Sequence, residues 1–279
     1  YLCMLRLAEL CGAMPLLYAA GIGPLTGECA MRATKKVLAR SPYISLRDKV
    51  SLRFLMGQGL DTASLHLGAD VALLLPNPPL FRTHALLKRI DVTQNQPYIC
   101  ICLKGGRQAE NCRQILIASL RILCREEGLL PIFIPLDRGD VSVNAAAARK
   151  LGGRLFLADE ASDLTALLMG AQLLVSMRLH GLILATNVSL PSIGIPVGDD
   201  PKIPSFCRIA AQEFLMPKAL SAASLVDLAQ KILARQNALR PLIADACRDL
   251  QKNAKKDLAN IVAMVYNKGR YEKKSEDTL

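Results

Sequence analysis

Between residues 98 and 195 the chain alternates short apolar runs with stretches of helical spacing, and this rhythm restricts the fold more than any other feature. Apolar runs that lack polar alternation belong in strands covered on both faces, so the pattern predicts a parallel sheet flanked by helices. The order is strand 98–103, turn Gly105-Gly106, helix 109–126, strand 130–135, a loop through Asp137 and Asp140, helix 144–151 and strand 155–157. Helix 161–170, strand 173–175, helix 177–188 and strand 191–195 follow, which completes a Rossmann-like domain.

The first part of the chain carries a shorter version of the same rhythm. Helix 1–12 precedes strand 15–20, which runs into Gly21-Ile22-Gly23-Pro24. Helix 29–39, strand 43–46, helix 48–56 and at least one strand within 65–75 come next. A chain that opens on an amphipathic helix with no initiator Met is expected to start part-way through a domain. Pro76-Asn77-Pro78-Pro79 and the polar stretch to Gln96-Pro97 then break the rhythm. The expected organisation is therefore a partial N-terminal Rossmann-like domain at 1–76, truncated at its start, a linker at 77–97, and a C-terminal Rossmann-like domain at 98–220. C-terminal helices occupy 221–279, read as 221–235 and 239–265 with a charged, frayed tail from 267.

Charge and composition remove several classes of function. The net charge is +11, but residues 1–90 hold 11 Lys and Arg against 5 Asp and Glu, and no long basic run occurs. That pattern suits a small polyanion met by a few cations better than a nucleic acid, which needs a dense basic stripe. Aromatic residues make up 4% and Trp is absent, so a base-stacking platform is poorly supported. Nine cysteines form no C-x-x-C pair and sit mostly in apolar stretches, which predicts reduced thiols and no zinc site. The stretch 10–25 is interrupted by Pro15 and Pro24 and is too short to span a bilayer, so a cytoplasmic location is expected.

Ligands of doubly wound sheets bind beyond the carboxyl ends of the strands, and four segments fall there. Gly21 and Gly23 would line a cleft after the first strand. Arg47 ends the second strand, with Asp48 as N-cap of the next helix; it either points into the cleft or pairs with Asp48 at the surface. Arg178 and His180 follow strand 173–175 in the first turn of a helix, where free N–H groups attract anions. The same field disfavours protonated imidazole, so His180 is expected to exchange protons near neutral pH. Lys202 lies on a loop after the next strand, at the same sheet edge, where it can meet a phosphate or carboxylate or simply face solvent. His66 and His84 lack such neighbours and are read as non-functional.

In order and spacing these segments resemble the polysaccharide pyruvyl transferase family. The match consists of G-I-G-P at 21–24, I-S-L-R-D-K-V-S at 44–51, G-A-D at 68–70, R-L-H-G-L-I-L-A at 178–185 and D-P-K at 200–202. The resemblance implies two Rossmann-like domains in a GT-B-like arrangement with the active site between them. It implies transfer of a pyruvyl group from phosphoenolpyruvate to hydroxyls of a cell-surface polysaccharide precursor, forming a ketal. It makes His180 the acid/base and Arg47 and Lys202 the donor-binding cations; Arg178 matches the motif and either meets the donor or packs against Asp199 or Asp200. No metal or other cofactor is required, and the expected partners are phosphoenolpyruvate and a saccharide or lipid-linked saccharide. Contact with the inner face of the membrane, through the basic first third or the C-terminal helices, would suit such an acceptor. The alternatives are a GT-B glycosyltransferase using a nucleotide sugar and a non-catalytic saccharide-binding module.

Overall fold

The computed structural model describes residues 2–23, 25 and 27–276, with backbone alone for 267–276. Pro24 of the glycine turn and the side chains of the tail expected to fray lie outside the described residues. The chain divides into two compact units: residues 1–71 with 249–279, and residues 72–248.

Unit 1 holds a parallel sheet in the order β1 (Leu17–Ala20), β2 (Ile44–Leu46), β3 (Leu65–Leu67). Helices α1 (Leu2–Leu10), α2 (Glu28–Leu38) and α3 (Lys49–Gly57) accompany it. Leu38, Ile44, Leu46, Leu55, Leu60 and Leu65 form its core; the run at 43–46 is wholly buried, whereas β3 buries Leu65 and leaves Leu67 exposed. The register steps from Leu17↔Ile44 to Ala20↔Leu46, which places Tyr18 and Ala19 opposite Ser45 alone. This is a β-bulge, and Ala19 takes a positive φ of 48° there. The hydroxyl of Ser45 accepts the Ala19 N–H at 3.2 Å, so the displaced donor stays satisfied.

Unit 2 holds a parallel sheet in the order β6-β5-β4-β7-β8-β9. Its strands are β4 (Tyr98–Cys102), β5 (Leu130–Phe133), β6 (Arg154–Leu155), β7 (Leu173–Ser176), β8 (Ser192–Gly194) and β9 (Glu213–Phe214). Helices α5 (Glu110–Glu126), α6 (Val141–Leu151), α7 (Ala161–Met169) and α8 (Leu179–Asn187) connect them. Every residue of β4 and β7 is buried, which is why these strands read as unbroken apolar runs. The strand order turns back at the β4–β7 pair, since β5 and β6 lie to one side of β4 and β7 to β9 to the other. Such a switch point opens a crevice at the carboxyl ends of the two strands.

Three expectations are corrected here. The stretch 77–97 contains α4 (Leu80–Arg89), which buries Thr83, Leu86 and Leu87; its helical face was hidden between prolines. Arg82 and Thr83 bind it to α7 through Asp163 and the Ala166 carbonyl, so this stretch belongs to unit 2. The C-terminal stretch forms one helix, α10 (Ala222–Glu276), which runs through Pro241; its residues from Asp249 onward cluster with unit 1. Finally, Lys202, expected on a loop, opens the helix α9 (Lys202–Ile209), and β9 follows it. Among the described residues no helix is long and apolar enough to cross a membrane.

Candidate functional site

In unit 1, Arg47 leaves the end of β2 and donates from Nη1 to Asp70 Oδ2 at 2.7 Å, both side chains being largely buried. Among the described residues no ion pair of Arg47 with Asp48 is found. Asp48 instead caps α3, accepting from the Ser51 N–H at 2.7 Å and the Ser51 hydroxyl at 2.9 Å. The same hydroxyl accepts the Ile22 N–H at 2.9 Å, which ties the glycine turn to the start of α3. A Cβ on Gly21 would lie 2.8 Å from Arg47 Nε, so only glycine lets the guanidinium lie against the turn. Gly23 has φ +80° and faces the Phe54 ring. The guanidinium is thus framed by the ends of all three strands of its sheet.

In unit 2, Arg178 is the N-cap of α8 and His180 its second residue. The helix buries Gly181 through Asn187, so its first turn alone reaches solvent and His180 is exposed. Ser176, the last residue of β7, accepts the Arg178 N–H at 3.0 Å and donates to the Arg178 carbonyl at 2.7 Å, fixing the turn between strand and helix. Arg178 packs against neither Asp199 nor Asp200: it pairs with Asp140, with Nε 2.7 Å from Oδ2 and Nη2 2.6 Å from Oδ1. Asp140 is completely buried and also accepts the Gly105 N–H at 2.8 Å. The Arg178 guanidinium is held further toward its charged form by this hydrogen-bonded carboxylate, against the opposing effect of burial.

Asn144 extends the network, bonding both backbone groups of Leu103 and donating to the Asp140 carbonyl at 2.8 Å. The loops that follow β4, β5 and β7 are thereby locked together beside His180. Lys202 is not on a loop; it opens α9, half-buried, with its N–H bonded to Asp200 at 3.0 Å. Because β8 lies parallel to β7, both Lys202 and His180 follow carboxyl ends of neighbouring strands. His66 stacks on Tyr43 with ring centroids 4.1 Å apart, a packing role.

Sequence reasoning named Gly21, Gly23, Arg47, Arg178, His180 and Lys202 but missed Asp70, Asp140 and Asn144 as their supports. Asp70 and Asp140 did stand out, one in G-A-D and one in a loop at the sheet edge, but neither partner could be paired across tens of residues. All nine cysteines are free, and burial pushes the thiols of Cys102, Cys124 and Cys207 up to about 12. Among the described residues no group of His, Cys, Asp or Glu could hold a metal ion.

Two parallel, Rossmann-like α/β units define the class: a fold shared with GT-B glycosyltransferases and nucleotide-sugar epimerases. HepE from Anabaena, solved with UDP and glucose, matches with a TM-score of 0.66 at 10% identity, over 95% of this chain and 76% of that one. A putative UDP-N-acetylglucosamine 2-epimerase from Listeria monocytogenes matches with a TM-score of 0.66 at 15% identity, over 94% and 71%. UDP-N-acetylglucosamine 2-epimerase from Rickettsia bellii gives 0.59 at 17% identity, over 94% and 71%. At these identities the likeness shows the fold alone. The sequence carries the family: residues 1–199 match the model described as polysaccharide pyruvyl transferase, and the chain belongs to that family. No curated protein matches it in sequence.

Proposed function

We propose that this chain transfers a pyruvyl group from phosphoenolpyruvate to two hydroxyls of a saccharide, forming a pyruvate ketal. The observation that carries the reading is the exposed His180 in the first turn of α8, flanked by an anchored Arg178, within the segment matched by the family. Phosphoenolpyruvate is a compact polyanion, and Arg47, Arg178 and Lys202 supply the positive charge it needs. His180 gives a proton to the methylene carbon, which makes C2 electrophilic. One sugar hydroxyl adds to C2 and loses its proton. Phosphate then departs, and the second hydroxyl closes the ketal. Over the cycle one hydroxyl proton ends on the new methyl group and the other on phosphate, so the imidazole is returned to its starting state. Proton transfer of this kind is worth roughly 10²- to 10⁴-fold in rate.

The acceptor in this reading is a saccharide, free or lipid-linked. The test is phosphate release from phosphoenolpyruvate in the presence of candidate saccharides, run beside release of UDP from nucleotide sugars. Phosphate release that depends on acceptor supports the reading. UDP release in its place overturns it in favour of a nucleotide-sugar glycosyltransferase, the chemistry suggested by the ligands of its structural neighbours. Saccharide binding without turnover of either donor overturns it in favour of a binding module.

A further inference from the structure

We infer that Asp257, on α10, is a positioning residue for the Arg47 anion site, an inference that rests on the donor-binding role given to Arg47 above. Asp257 lies beyond the residues matched by the family, on the part of α10 that clusters with unit 1. Its side chain is buried, 4% exposed, under the sheet that carries Arg47. Tyr43 donates its hydroxyl to Oδ1 at 2.6 Å, and Ser45 donates its hydroxyl to Oδ2. These two hydroxyls come from the residues that lead into Arg47.

The carboxylate also governs the neighbouring strands. Ser45 accepts the N–H of Ala19 at the bulge of β1, two residues before Gly21. On the other side Gly68 lies against Asp257, so that a Cβ there would be 2.6 Å from Oδ2; Gly68 leads directly to Asp70, the partner of Arg47. One buried carboxylate therefore fixes the bulge before Gly21, the strand before Arg47 and the turn before Asp70. These are the three pieces of backbone that frame the guanidinium. A buried carboxylate is costly unless its oxygens are satisfied, and here the hydroxyl donors that satisfy it are the very residues it positions.

Replacing Asp257 by Asn leaves one acceptor for two hydroxyl donors at unchanged volume. The experiment compares Asp257→Asn with Asp249→Asn, an exposed carboxylate of the same helix, in the whole chain. Two readouts are taken: kcat and KM for phosphoenolpyruvate, and amide hydrogen exchange. Asp257→Asn is expected to raise KM about tenfold with kcat within twofold, and to speed exchange in 19–23 and 66–70 while the amides of β4 and β7 keep their protection. Asp249→Asn should change neither. Wild-type exchange and KM in Asp257→Asn would overturn the inference, as would a uniform loss of protection across unit 1 with KM unchanged. Should wild-type protein fail to use phosphoenolpyruvate, the functional reading falls, while the exchange pattern still decides whether Asp257 holds these loops.

Discussion

Arg178 and Asp140 meet in a two-point ion pair, Nε to Oδ2 at 2.7 Å and Nη2 to Oδ1 at 2.6 Å, with the carboxylate completely buried and the guanidinium partly exposed. The pair spans 38 residues of sequence and joins the loops after β5 and β7. It holds the residue that caps α8, and so fixes the base from which His180 projects.

Removing one partner of this pair strands the other. Arg178→Ala is expected to cost about 3 kcal/mol, because Asp140 would keep a buried charge with only the Gly105 N–H on it. The double change Arg178→Ala/Asp140→Asn should cost less than the two single changes summed. Denaturant unfolding of the four proteins checks this, and strict additivity would show that the pair does not act as a unit.

His180 behaves in the opposite way, since an exposed side chain in the first turn of a helix contributes little to packing. His180→Ala is expected to lower turnover by roughly 10²- to 10⁴-fold while stability stays within about 0.5 kcal/mol of wild type. Parallel thermal melts and phosphate-release rates separate the two effects.

Gly21 has no side chain because Arg47 occupies the space. Gly21→Ala must displace the guanidinium, and the expected signature is a raised KM for phosphoenolpyruvate with the Asp70 pair weakened. An unchanged KM would remove Arg47 from the donor site.

The link between α4 and α7 carries a pH dependence. Burial pushes the Asp163 carboxyl up, but the Arg82 guanidinium at 2.7 Å and the backbone N–H groups of Asp159 and Glu160 more than reverse this, leaving it below the usual carboxylate value. A carboxyl depressed in the folded chain contributes stability above its unfolded pKa of about 3.9, and that contribution disappears as pH falls through the folded value. Arg82→Gln should therefore lower Tm at pH 7, and its gap from wild type should close as pH drops below about 4. A constant gap would mean that the loss comes from packing of the side chain.

The sequence made some of this legible and hid the rest for physical reasons. Apolar runs such as 98–103 and 173–176 announce themselves because strands buried on both faces admit almost no polar residue. Helix α4 is hidden in the sequence because Pro76, Pro78 and Pro79 crowd its start and its ten residues bury only three side chains. Lys202 is legible as a cation at the sheet edge, but its helix is not, since Pro201 and Pro204 flank it; Pro is nonetheless tolerated in the first turn of a helix. Nothing local to the supporting carboxylates Asp70, Asp140 and Asp257 marks the side chains they bind. Their partners lie 23, 38 and more than 200 residues away, a distance that only the folded chain closes.

The most direct test of the central claim is a turnover experiment with phosphoenolpyruvate labelled with carbon-13 at C2, followed by NMR of the saccharide product beside a phosphate assay. The account predicts that the label appears as a ketal carbon on the sugar, matched one to one by phosphate, and that both form roughly 10²-fold more slowly or worse in His180→Ala. Label that remains in phosphoenolpyruvate or emerges as free pyruvate, across an acceptor panel and in a folded wild-type chain, would contradict it.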